Sequence, residues 1–135
     1  MKRIHALVGF LAAAVVVLAV AVPAFAGRQS AAATVVKVTA GKPSLFAFTL
    51  STKTVKTGTV TFDVTNKGAL PHTFKVCSSN KGGTANSCAG KGTPTIKPGK
   101  SATLTVTFSK AGTYEYLCTI PGHAAAGMKG DLKVT

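Results

Sequence analysis

From Thr34 to the C-terminus, apolar and polar side chains alternate with a period of two, and Gly, Pro, Asn and Ser interrupt the pattern at short intervals. That period puts alternate residues on opposite faces of an extended chain. It excludes a long amphipathic helix, which needs a repeat of about 3.6 residues. In "GTVTFDVTN", Val60, Phe62 and Val64 alternate with Thr61 and Asp63. "TVVKVTA", "LFAFTLS", "HTFKVC", "ATLTVTF", "GTYEYLC" and "MKGDLKVT" read as further strands, set apart by "GKPS", "VKTG", "KGALP", "IKPGKS" and "SKAG". "TANSCAGKGTPT" holds too much Gly and Pro for regular structure, and no internal repeat is present. Short strands at this spacing predict an all-β sandwich or barrel.

The continuously apolar run Ala6 to Val22 stands apart from this pattern. Lys2 and Arg3 precede it and "AFA" follows it, which predicts a signal peptide over 1–26. A short flexible tail, "GRQSAAA", is then expected over 27–33, and one domain over 34–135. The run ends at Pro23 and is near the short limit for spanning a bilayer; retained, it would instead anchor the protein to the membrane. No cysteine directly follows it to accept a lipid. The expected location is the periplasm, the cell envelope or the extracellular space, an oxidising setting in which paired thiols persist.

Three cysteines leave one over. Cys77 and Cys88 bracket the flexible stretch "SSNKGGTANS", so the economical assignment is a Cys77–Cys88 disulfide with Cys118 free. Three reduced thiols are the alternative. Charge narrows the partners. The net +13 falls to +11 once the leader's two basic residues are removed, which favours anionic partners or an anionic envelope surface. The lysines are scattered, with no arginine-rich stripe and no nucleic-acid motif, so nucleic acid is not expected.

Parity then places the reactive side chains. Tyr114, Tyr116 and Cys118 share one strand face, and Glu115 and Leu117 share the other. With Glu115 expected in water, Cys118 points inward. His72, Phe74 and Val76 likewise share a face, with His72 expected to begin its strand. His123 and Met128 follow Cys118 at intervals of five residues in a loop that Pro121, Gly122 and Gly127 allow to curl. Beyond the leader these are the two histidines and the one methionine of the chain. One thiolate, two imidazoles and one thioether are the donor set of a blue-copper electron-transfer site.

"NKGALPHTF" and "GTYEYLCTIPGHAAAGMKG" resemble the cupredoxins, the small blue (type 1) copper proteins that include plastocyanin, auracyanin and azurin. The resemblance spans roughly residues 34 to 135. It implies a Greek-key β-sandwich and one copper ion held by His72, Cys118, His123 and Met128. The interval between Cys118 and His123 is longer than in plastocyanin-type loops and similar to that of auracyanin and rusticyanin. Many members carry Asn after the first histidine, where its amide supports the ligand loop; here the residue is Thr73.

Oxygen or nitrite reduction would need further histidines for a second copper centre, and both available ones are used. A Cys118–His123 nucleophilic pair lacks a nearby inward acid. The chain is therefore read as a non-enzymatic, monomeric carrier of single electrons. Its expected partners are redox proteins, an acidic cytochrome or an oxidase domain, meeting it at the uncharged His123 edge. The alternative is copper binding or delivery in the envelope without electron transfer.

Overall fold

The computed structural model describes residues 32–83 and 88–135. The expected signal peptide and residues 27–31 of the expected tail lie outside the described residues. Among the described residues, nine strands form two sheets: β1 (Thr34–Ala40), β2 (Phe48–Leu50), β3 (Thr54–Val55), β4 (Gly58–Asn66), β5 (Lys75–Cys77), β6 (Gly90–Gly92), β7 (Ser101–Phe108), β8 (Gly112–Leu117) and β9 (Lys129–Val134). One sheet has the order β2-β1-β4-β7 and the other β3-β9-β8-β5-β6. β1 and β4 run parallel, as do β3 and β9; the remaining pairs are antiparallel.

The alternation decides which side chains lie between the sheets. Val36 and Val38 of β1, and Val60, Phe62 and Val64 of β4, pack against Phe74, Val76, Tyr114, Tyr116, Leu132 and Val134. Each such side chain contributes about 1.5–3 kcal/mol relative to exposure. Their polar alternates face solvent: Thr59, Thr61 and Thr65 meet Thr107, Thr105 and Ser101 across the β4–β7 ladder. The all-β sandwich expected from the period is the fold observed.

Four local expectations are corrected. "LFAFTLS" is extended only at Phe48–Leu50, and the residues before it form a loop, bounded by Gly41 N–H donating to Ala47 O. Gly90–Gly92, read as irregular, is strand β6, because its backbone pairs with Lys75–Cys77 and a glycine strand needs no side-chain pattern to do so. His72 does not begin β5; it stands three residues earlier, in an antiparallel bridge with Ile96. Glu115, expected in water, is 3% exposed. β8 is the middle strand of five, with Asp131 of β9 directly opposite Glu115. On its other side, β5 leads from Val76, the partner of Tyr116, into the Cys77–Cys88 disulfide. The outer face of the middle strand is therefore covered, and parity alone could not show that.

Candidate metal centre

His72 is positioned by backbone. Its N–H donates to Ile96 O at 3.1 Å, and Ile96 N–H donates to His72 O at 2.7 Å. Asn66, fully buried at the end of β4, ties the intervening loop together. Its Nδ2 donates to Leu70 O (2.7 Å) and Ile96 O (2.8 Å), while its Oδ1 accepts from Gly68 N–H (2.9 Å). Gly41 and Gly68 meet beside the imidazole. A Cβ on Gly41 would lie 2.5 Å from Gly68 Cα and 3.2 Å from His72 Nε2, and Gly41 has φ +76°, so glycine is required there. This wall buries the ring completely, and Nε2 has no hydrogen-bond partner. Asn66 is a contributor that sequence reading missed, although it opens the "NKG" turn.

The other three side chains come from one tight loop. Cys118, immediately after β8, donates its N–H to Met128 O (3.0 Å), and Met128 N–H donates to His123 O (2.9 Å). Within the loop, His123 N–H donates to Ile120 O and Ala126 N–H to Gly122 O. Gly122 and Gly127 adopt the left-handed φ that the reversal demands. Cys118 and Met128 are fully buried in one cluster with Ala40, bordered by Phe46, Phe48 and Ile120. His123 is 9% exposed, with the Phe46 ring edge-on at 4.9 Å.

Two elements far apart in sequence thus converge. His72 Nδ1 lies 3.3 Å from His123 Nδ1, and His123 Nδ1 lies 3.5 Å from Cys118 Sγ. The ligand atoms of His72, Cys118 and His123 all lie within 4.8 Å of one another. These separations approach the edges of a triangle whose corners stand about 2.0–2.3 Å from a first-row metal ion. Two imidazole nitrogens facing each other in a dry site have lone pairs that one cation can satisfy together. With the Cys118 sulfur beside them and Met128 buried in the same cluster as Cys118, the donor set suits copper.

The family model of copper binding proteins, plastocyanin/azurin family, matches residues 34–135. The chain belongs to this family. It is 59% identical over 39 residues to the copper-resistant cuproprotein CopI of Pseudomonas aeruginosa, covering 29% of this chain and 22% of that protein. It is 49% identical over 43 residues to auracyanin-B of Chloroflexus aurantiacus, covering 32% of this chain and 18% of the relative. Rusticyanin of Acidithiobacillus ferrooxidans is 40% identical over 74 residues, 54% of this chain and 36% of its own. The matches therefore span well under two thirds of these relatives. A solved structure of auracyanin B superposes with a TM-score of 0.60 at 26% identity, covering 76% of this chain and 89% of that one. The cupredoxin fold and a copper cofactor follow.

Thr73 shapes the environment of the donors. Thr73 stands where many cupredoxins carry Asn, and it supports the thiolate directly. Its N–H donates to Cys118 Sγ at 3.4 Å, and its hydroxyl reaches the same sulfur at 3.7 Å. That hydroxyl also accepts from Thr119 N–H at 2.7 Å and lies 2.8 Å from Thr119 Oγ1. If Thr119 Oγ1 donates to Thr73, the Thr73 proton is free to point at sulfur. His72 titrates below its ordinary value of 6.5, first because burial penalises the charged ring and second because a charged His123 repels it. The neutral imidazole that a metal requires is therefore the form present near neutral pH.

Proposed function

We propose that this chain carries single electrons, cycling one copper ion between Cu(I) and Cu(II). His72, Cys118, His123 and Met128 would hold that ion, the first three as strong donors and the Met128 thioether as a weak one. The observation that carries this reading is the buried convergence of two Nδ1 atoms and one Sγ within 4.8 Å, anchored on two sheet-bound segments. Bound copper supplies a one-electron couple. The protein supplies a site that changes little between the two oxidation states. The Ile96 bridge and Asn66 hold His72, the Cys118–Met128 backbone bond closes the loop, and Phe46, Phe48 and Ile120 exclude water.

The slightly exposed edge of His123 is the exit for electrons. Around it Pro121, Gly122, Ala125 and Ala126 are exposed and uncharged, so another protein can approach the imidazole closely. Exposed Lys42, Lys67, Lys97 and Lys100 occupy the loops and turn that surround His72. Asp63 and Asp131 lie on β4 and β9, and Glu115 is buried. This distribution favours an acidic redox partner, steered by charge and held over a small area. Export to the envelope follows from the N-terminal sequence.

Adding Cu(II) to the mature protein should give an intense thiolate-to-copper band in the visible spectrum, and Cys118→Ser should abolish it. Retention of that band in the variant would sink the assignment. A second reading, copper binding or delivery, is favoured by the local similarity to the copper-resistant cuproprotein CopI. Reversible reduction with the metal retained separates the two, since a delivery protein releases copper where a carrier keeps it.

A further inference from the structure

We infer that the Cys77–Cys88 disulfide positions the copper-binding loop, in addition to closing the segment between its two cysteines. Cys77, Leu117 and Ala124, with Cys88 at the border, form a small apolar cluster apart from the main core. Leu117 immediately precedes Cys118, and Ala124 immediately follows His123. Both are buried, at 0% and 3% exposure. The disulfide therefore packs behind the two residues that carry the thiolate and the outer imidazole.

The rest of the loop has little else to hold it. Between Thr119 and Gly127, only His123 and Ala124 are buried, and Ile120 is partly so. His123 faces the metal centre, so Ala124 is the loop's one fully buried apolar anchor, and it rests in the disulfide cluster. The bridge is in turn fixed to the sheet, because Cys77 belongs to β5 and Ser78 N–H donates to Ala89 O on the far side of the bridge. Without the bridge, nothing covalent keeps Cys88 over Leu117 and Ala124, and water can reach both. The 3.5 Å approach of His123 Nδ1 to Cys118 Sγ then depends on backbone hydrogen bonds and on the Phe46 and Ile120 contacts on the opposite side. Groups that orient metal ligands from behind typically change metal affinity by about 10–100-fold when removed.

This inference rests on the copper reading, and the test separates the two. The mature protein is compared with Cys77→Ala/Cys88→Ala, both loaded with Cu(II), at a temperature where both are folded. Copper release to a chelator should be about tenfold faster or more in the variant, with an altered copper hyperfine splitting in electron paramagnetic resonance. In the copper-free proteins, the amides of His123 and Met128 should exchange hydrogen faster in the variant. If the double variant does not fold, Ala124→Ser with the bridge intact places a hydroxyl in the same contact, and the same changes are expected. A lower melting temperature with release changed less than about threefold and unchanged amide exchange would overturn the inference and leave the bridge a simple staple. If the unmodified protein takes up no copper, the copper reading fails, and the amide exchange alone decides whether the bridge positions the loop.

Discussion

Thr73→Val removes one hydroxyl and preserves the shape of the side chain, so it tests that hydroxyl's bonds to the Cys118 sulfur and to Thr119. The Thr73 Oγ1 to Cys118 Sγ distance of 3.7 Å is long, and the N–H contact at 3.4 Å survives the substitution. A hydrogen bond to a charged group nets about 1.5–3 kcal/mol, so at this length roughly 1 kcal/mol is a fair value. Sulfur carries more negative charge when copper is reduced, because less of it is shared with the metal. The hydroxyl therefore stabilises the Cu(I) state preferentially, and its loss should lower the reduction potential. For a one-electron couple, 59 mV corresponds to about 1.4 kcal/mol; with roughly half of the bond's energy lost on oxidation, the expected fall is about 20 mV. Thr119 N–H also loses its acceptor at 2.7 Å. Water can partly replace it because Thr119 is exposed, which leaves a cost of about 1 kcal/mol and a melting temperature lower by roughly 4–8 °C. Thr73→Ser, which keeps the hydroxyl, should stay near the parent in both. Protein-film voltammetry is the assay. A Val variant within about 5 mV of the parent, against the 20 mV expected, would refute the claim that this hydroxyl tunes the site.

Met128→Leu should keep a coloured copper site but raise its potential, by about 60 mV if the thioether favours Cu(II) tenfold; voltammetry showing no rise would make Met128 packing alone. The copper-free protein should lose stability as pH falls below 6.5. The folded state holds His72 below that value while the unfolded chain takes up the proton, so its contribution is complete above 6.5 and fades as pH falls through the folded value. Melting curves from pH 7 down to about 5 should show this slope, and His72→Gln should flatten it. Stopped-flow electron transfer to an acidic acceptor should slow as salt rises. Ala125→Glu should slow it further at low salt, and a rate indifferent to both would remove charge steering while leaving the metal centre untouched.

Much of this protein was legible in its sequence because period-two alternation is a local property. Val60, Phe62 and Val64 had to share a face wherever β4 lay, and so did Tyr114, Tyr116 and Cys118. The donors were legible because they are scarce. Two histidines, one methionine and one unpaired cysteine lie beyond residue 26, and the short loop after β8 carries three of the four. The disulfide was legible as the economical pairing, because Cys77 and Cys88 flank one flexible stretch.

What the sequence left open concerned the far side of each strand. Parity says that Glu115 and Leu117 face away from the core, but water on that side depends on which other segments cross it. The disulfide beyond β5 packs over Leu117, and Glu115 is buried beside it in the middle strand. Thr73 was visible as a departure from the Asn that many cupredoxins carry. Its grip on Cys118 Sγ and Thr119, 45 and 46 residues away, appears only when β5 and β8 lie side by side. Asn66 and Gly90–Gly92 were missed for the same reason. A buried amide and a glycine strand are defined by the backbone groups they meet, and those partners are chosen by sheet pairing, a property of the whole chain that no local pattern encodes.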